Sequence, residues 1–281
     1  MTIAVTAASG QLGGEIVHAL ARLDTGAPVV GLARTPENAS DLGIDVRPGD
    51  YGDEQQLQAS LEGVDTLLLI SGNEQPDARI PQHRNVLNAA KAAGVGKVVY
   101  TSIEGAEEGT AFSPVVQSNR QTEADVRASG MAWAIGRNGI YIEPDVEAID
   151  DYRAAGEIVN SAGDARCGYT PRRELADAYA QLLVDPSHNG STFRLHGEPI
   201  TQAQLAGYLN QAFGTELVYR SMGVEEYLAD RTAVFGEFLG SVIAGIYEGI
   251  RSGAHDIPSD FETVTGRPHQ SWDDYFSTLQ T

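Results

Sequence analysis

Apolar residues along the first half of the chain fall into two alternating rhythms. Short, nearly unbroken apolar runs occupy residues 3–5, 28–34, 64–70, 97–102 and 131–137. Their length suits strands, and the lack of polar alternation suits burial on both faces, as in a parallel sheet. Between the runs, Ile16, Val17, Ala19 and Leu20, and later Val86, Leu87 and Ala90, recur at helical spacing. Residues 41–46 lead into a further short strand, and residues 117–129 read as another helix. Pro81 suits the first turn of a helix that Gly94 stops. Repeated strand–helix alternation predicts an α/β fold built on a doubly wound parallel sheet.

From Pro144 the alternation loosens. A strand at 192–195 is expected to return to the sheet, followed by a helix over 202–213 and a short strand at 217–219. Phe235, Leu239, Val242, Ile246 and Ile250 recur at helical spacing, which reads as core or subunit contact before pocket lining. The chain is therefore expected to divide into a core over residues 1–143 and a smaller, partly interleaved α/β lobe over 144–281. Such a junction forms a cleft for a small substrate. The glycine-rich, acidic loop over 104–114 is placed to gate it.

The first strand runs into Thr6, Ala7, Ala8, Ser9, Gly10, Gln11, Leu12 and Gly13. Strand, small-residue turn and helix is the geometry that aims free backbone N–H groups and a positive helix end at a pyrophosphate. Gly10 and Gly13 hold the second and third glycine positions of a Rossmann fingerprint, where backbone approaches phosphate and helix packs on strand. Ala7 holds the first, so its φ is expected to stay negative. A lone glycine turn is a weak signal, and its place at the first strand–helix junction strengthens it.

At the end of the second strand an acidic residue would accept from a ribose 2′-hydroxyl. Arg34 stands there instead, which suits a 2′-phosphate and points to NADP(H) over NAD(H). Asp50 and Tyr51 either flank the adenine or simply form a turn. Ser71 and Gly72 follow the central strand at Ile70, and Ser102 ends the next, on the ligand side of a parallel sheet. Ser102 reads equally well as a hydrogen-bonded strand end.

Charge and composition narrow the classes. A net charge of −20, from 39 acidic and 19 basic residues, argues against nucleic-acid binding. Lys91 and Lys97 are the only lysines, and an acidic, lysine-poor surface suits either high salt or ordinary acidity with an arginine preference. The six histidines lack metal-ligand spacing and Cys167 stands alone, so neither a zinc site nor an intramolecular disulfide is expected. No Gly-x-Ser-x-Gly elbow is present. Residues 233–250 are the most apolar long stretch, but Glu237 and Glu248 interrupt it, so no membrane span is expected. A lone cysteine and no secretory pattern at the amino terminus make a cytoplasmic protein the expectation.

Several stretches carry a family resemblance: residues 9–13, 50–54, 67–71 and 81–95, Tyr100-Thr101-Ser102, Arg137-Asn138-Gly139 with Tyr141, and Thr265-Gly266-Arg267-Pro268. They resemble the NmrA-like atypical short-chain dehydrogenase/reductases, and within them the bacterial NADPH:quinone oxidoreductase 2 group. The resemblance is dense to residue 143 and thin after it. It implies that Thr6, Ala7, Ser9, Gly10, Gln11, Leu12, Gly13, Arg34, Asp50, Tyr51, Ile70, Ser71, Gly72 and Arg137 hold NADP(H). It also implies that residues 137–142, with Arg172, border the nicotinamide and the substrate. There are three departures. Ala7 replaces a glycine, Asn119 stands where relatives place lysine or histidine four residues before Glu123, and Pro144 stands where the pattern has asparagine.

Ordinary short-chain dehydrogenases use a Tyr-x-x-x-Lys dyad, and no tyrosine here has a lysine four residues on. Tyr169, Tyr227 and Tyr247 have arginine there, which stays protonated and serves poorly as a proton relay. Losing a general acid/base slows alcohol–ketone chemistry by about 10²–10⁴. A quinone asks less, because hydride addition yields a stabilised anion that solvent protonates. The first reading is thus hydride transfer from NADPH to a quinone or similar small electrophile, carried by positioning. Tyr141 would stack on the acceptor while Asn138 or Ser102 hydrogen-bonds its oxygen, although a packed core tyrosine is an equal reading of Tyr141. The second reading is a non-catalytic NADP(H) sensor of the NmrA type. A quinone-like small molecule and a second copy of the chain are the partners expected.

Overall fold

A computed structural model describes residues 1–280. Its centre is a seven-stranded parallel sheet. The first half supplies β1 (Ile3–Val5), β2 (Val29–Ala33), β3 (Asp45–Pro48), β4 (Thr66–Leu69), β5 (Lys97–Ile103) and β6 (Ala132–Asn138). They are joined through α1 (Gln11–Leu23), α2 (Glu54–Ser60), α3 (Pro76–Ala92) and α4 (Ser113–Ala128). Next come the short β7 (Ile140–Tyr141), α5 (Glu143–Glu147) and α6 (Ile149–Ala155). They lead to β8 (Glu157–Asn160), β9 (Arg166–Cys167), β10 (Tyr169–Thr170) and α7 (Arg172–Val184). The chain then re-enters the sheet as β11 (Ser191–Leu195), which pairs in parallel with β6, Phe193 opposite Gly136.

The strand order is β11-β6-β5-β4-β1-β2-β3. Progression reverses between β1 and β4, which opens a crevice at their carboxyl ends, the usual ligand position in such sheets. This is the doubly wound α/β architecture expected from the apolar rhythm. Alternate residues of one strand feed opposite layers. Ile3, Val5, Leu68 and Val99 face α1 and α7, whereas Ala4, Leu67, Leu69 and Tyr100 face α2 and α3. Leu67, Leu68 and Leu69 are all fully buried. Truncating any of them to alanine should cost about 2–5 kcal/mol.

The rest of the described chain supplies β12 (Ile200–Thr201), α8 (Gln202–Phe213), β13 (Val218–Ser221), α9 (Val224–Phe235), α10 (Glu237–Arg251), α11 (Phe261–Thr265), which packs on the α7 side of the sheet, and α12 (Trp272–Ser277). A capping box between Thr201 and Gln204 starts α8. Strand β13 pairs in parallel with β8, and Ile158, Tyr169, Leu205, Leu209 and Trp272 pack as a separate core. Among the described residues no helix is long and apolar enough to cross a membrane.

Three local expectations are corrected, and a fourth, the stripe read as core or subunit contact, is seen to divide in exposure. Ala7 has φ +49°, not a negative value. Its carbonyl accepts from the Gly10 N–H at 2.9 Å and lies so close to α1 that a Cβ on Gly13 would stand 2.3 Å away. That close packing fixes the turn, and the left-handed alanine bears about 1–2 kcal/mol of strain. Pro81 lies inside α3 and not in its first turn, because Pro76 takes the first position. The 104–114 loop does not line the crevice. Phe112 is buried with Val115 and Val116 against Val242 and Ile246 of α10, where a Cβ on Gly245 would meet the Phe112 nitrogen at 2.2 Å. The stripe from Phe235 to Ile250 splits: Ile250 is buried, while Phe235 and Leu239 are 46% and 50% exposed.

Candidate active site

A cleft of about 320 Å³ opens at the carboxyl ends of β1, β2 and β4. Ala7, Ser9 and Gly10 form its floor at the amino end of α1. No side chain caps that helix at Gly10, so the first-turn N–H groups remain available as donors and the positive helix end faces the cleft. This cradle fits a pyrophosphate. Arg34, directly after β2, lines one wall, is exposed, and makes no ion pair or hydrogen bond among the described residues. Asp50 and Tyr51 line a second wall, and Ser71 and Gly72 a third.

Thr35, Asn38, Gly49, Asn73, Glu74 and Gln82 complete the lining and were not singled out from the sequence. They sit mostly in loops with no periodicity to betray them. Gln82 alone lies in a stretch that carried the family resemblance.

Other residues expected to hold the nucleotide support the cleft from beneath. Buried Thr6 accepts the Ile70 N–H on Oγ1 at 2.9 Å, and the Tyr51 hydroxyl stands 2.5 Å from the same oxygen. Tyr51 also donates to the Ile70 carbonyl at 2.8 Å, tying β1, β4 and the 50–51 turn together. Burial pushes the Tyr51 phenol well above its ordinary pKa, so it stays protonated as a donor. Gln11 is exposed at the start of α1, Leu12 is core, and Gly13 packs on the Ala7 carbonyl. The departure at Asn119 also has a role: its Oδ1 accepts from Ser71 Oγ at 2.9 Å and Tyr100 Oη at 2.6 Å, anchoring the third wall.

On the acceptor side three expectations fail in detail. Ser102 is fully buried and donates to Glu123 Oε1 at 2.7 Å, so it presents no hydroxyl to a ligand. Arg137 forks onto the same Glu123 with two 2.8 Å bonds and does not line the cleft. Asn138 is occupied by protein partners: Tyr179 Oη donates to its Oδ1 at 2.6 Å, and its Nδ2 donates to Tyr141 Oη at 3.3 Å. In each case the polar group found an internal partner, which burial demands of Ser102 and Asn138.

Tyr141, Arg172 and Glu143 do come together. The Arg172 guanidinium lies 5.1 Å from the centre of the Tyr141 ring and 3.6 Å from Glu143 Oε2. Glu143 Oε1 accepts the Arg172 backbone N–H at 2.7 Å at the start of α7. Its Oε2 is buried without a hydrogen bond, and burial raises its pKa. Sequence reading missed Glu143; its only signal was its place beside the Pro144 departure. Among the described residues no group of three His, Cys, Asp or Glu side chains is placed to hold a metal ion.

A crevice at the reversal of strand order, an uncapped helix end and an arginine without an ion pair among the described residues are features that fit a dinucleotide. A family model described as NAD(P)H-binding matches residues 7–186. The chain belongs to this NAD(P)H-binding family. Quinone oxidoreductase 2 of Escherichia coli is 36% identical over 231 residues, 81% of this chain and 80% of that protein. The structure of an NADPH-dependent quinone oxidoreductase from Escherichia coli complexed with NADPH matches with a TM-score of 0.91 at 31% identity, both chains covered in full. Triphenylmethane reductase of a Citrobacter species, complexed with NADP(H), gives 0.90 at 30% identity, covering 99% of this chain and 100% of that one. The resemblance to the quinone oxidoreductase 2 group is therefore borne out across the whole NAD(P)H-binding fold.

Proposed function

We propose that this protein is an NADPH-dependent reductase that passes a hydride to a quinone or a similar small electrophile. The observation that carries the reading is the unpaired Arg34 guanidinium on the wall of a cleft floored by an uncapped helix end. The relatives support it: a quinone oxidoreductase, an NAD(P)H azoreductase from Xenophilus azovorans and a triphenylmethane reductase are named for small conjugated acceptors. Bound NADPH supplies the hydride. The first-turn N–H groups of α1 would hold the pyrophosphate, Arg34 would hold the 2′-phosphate, and the 50–51 and 71–72 walls would border the rest of the nucleotide.

Residues 1–143 would carry the nucleotide and residues 144–281 would wall the acceptor side. There Tyr141, partly buried against the core with Arg172 over its ring, would give its remaining aromatic surface to an aromatic acceptor, since stacked rings gain beyond their buried area. The Tyr141 phenol, raised above its ordinary pKa by burial, keeps its proton and can hydrogen-bond an acceptor oxygen. Positioning does the catalytic work, and solvent completes protonation of the product anion.

A second reading, a non-catalytic NADP(H) sensor, draws on Ser102, Arg137 and Asn138 all being engaged within the protein. One assay separates the two. NADPH absorbance is followed with a panel of quinones at low and molar KCl, beside nucleotide binding by fluorescence. Turnover with any quinone supports the reductase. Binding with no turnover on any acceptor supports the sensor.

A further inference from the structure

The longest stretch carrying the family resemblance, residues 81–95, most of it on α3, has no part in the chemistry described above. Only Gln82 of that helix reaches the cleft. Two side chains of α3 instead reach the backbones of two cleft walls. His83 Nε2 accepts the Gly72 N–H at 2.9 Å. Asn85 Nδ2 donates to the Tyr51 carbonyl at 2.9 Å. Gly72 and Tyr51 both line the cleft.

The hydrogen bonds around His83 fix its state. Thr122 Oγ1 donates to the Ser118 carbonyl at 3.1 Å, so it can only accept from His83 Nδ1, 2.9 Å away. Nδ1 therefore carries the proton and Nε2 presents its lone pair to Gly72. An imidazolium would set N–H against N–H at Gly72. Burial, with the nearby Arg79 charge, lowers the His83 pKa to about 3, which keeps the ring neutral. The ring is 1% exposed and meets Tyr51 and Tyr100 edge-on, with centroids 6.1 Å and 5.7 Å away.

We infer that His83 and Asn85 are positioning residues for nucleotide binding, with neutral His83 holding the Gly72 wall and Asn85 holding the Tyr51 wall at the spacing the nucleotide needs. The inference rests on the reading of this cleft as the NADP(H) site. An unanchored wall must be ordered at the moment of binding, so the effect falls on affinity. Once the nucleotide is bound, the hydride donor and acceptor meet as before, so turnover at saturation is spared.

Two substitutions separate anchoring from mere bulk. Glutamine at 83 can place its Oε1 near the position of Nε2 and keep the Gly72 bond. Asparagine can reach Thr122 but not Gly72. For His83→Asn, the Kd and KM for NADPH should rise about tenfold, the worth of one hydrogen bond. kcat at saturating NADPH should stay within about twofold. His83→Gln should stay within about threefold of the parent in Kd, and the Gly72 amide should exchange with solvent faster only in His83→Asn. Asn85→Ala, at a partly exposed site, should likewise raise the NADPH KM without lowering kcat.

Equal affinities for His83→Asn and His83→Gln, or a loss confined to kcat, would overturn the inference. If His83→Asn does not fold, Asn85→Ala with unchanged KM overturns the Tyr51 arm. A parent protein that binds no NADPH removes the site reading itself, and the inference with it.

Discussion

Arg137 grips Glu123 through a fork, its Nε and Nη2 each 2.8 Å from one carboxylate oxygen. Arg120 and Arg127 add bonds of 2.9 Å, and Glu123 has no exposed surface. Burial works to raise the Glu123 pKa, but hydrogen bonds from Arg137 and Ser102 and the charges of Arg120 and Arg137 outweigh it and hold it at about 2. The folded state thus binds the proton less readily than an unfolded glutamate near pKa 4.3. The stability this group contributes is complete above about pH 5 and drains away as pH falls towards 2, on the order of 3 kcal/mol. Glu123→Gln should lose at least about 3 kcal/mol at pH 7 and flatten the acid limb of stability. Urea melts across pH 2–7 check both, and an unaltered acid limb would remove Glu123 from its cause.

Asp145 has the opposite sign. It is 5% exposed, and burial pushes its pKa up to about 6, although Tyr152 donates to it at 2.8 Å. The folded state holds this proton where the unfolded chain would release it, so stability falls as pH rises from about 4 to 6. Asp145→Asn keeps an acceptor for Tyr152 and discards the charge. Its melting temperature should exceed the parent's at pH 8 and match it near pH 4. A variant less stable at both values counts against the argument.

Among the described residues Arg34 makes no ion pair that it would have to release before meeting a phosphate. Arg34→Ala should raise the Kd for NADPH by about 10- to 100-fold, the range of a charge-assisted bond. The Kd for NADH should move by less than about twofold. Titrations with both nucleotides give the answer, and equal losses would refute the 2′-phosphate role.

Ala7 carries left-handed strain that glycine lacks. Ala7→Gly should stabilise the protein by about 1 kcal/mol, after the extra chain entropy of glycine is deducted from the relieved strain. That corresponds to roughly 2–4 °C in melting temperature for a chain of this size class. A lower melting temperature would mean the turn is not strained.

The inner strands β1, β4 and β5 were legible because they are buried on both faces, which leaves short apolar runs, whereas β3 has no fully buried residue and shows no such run. The Gly10–Gly13 turn was legible because α1 packs so closely on the Ala7 carbonyl that a side chain at Gly13 would collide with it, and Arg34 because it directly follows an apolar run. What failed depended on distant partners. Ser102 and Arg137 look like ligand contacts at strand ends until α4 brings Glu123, 21 and 14 residues away in sequence, between them. The φ of Ala7 depends on how closely α1 lies over it. Strand pairs such as β7 with β10 are two residues long, too short to show any period.

β11 is an edge strand supplied from far along the chain, and it hides the hydrogen-bonding edge of β6. A fragment ending at residue 143 would therefore show a bare strand margin over Ala134–Asn138, and it would also lack α7, which covers α1. Such a margin recruits other strands. The first half is consequently a fold that only the second half makes safe from self-association, even though the cleft is lined wholly by its own residues.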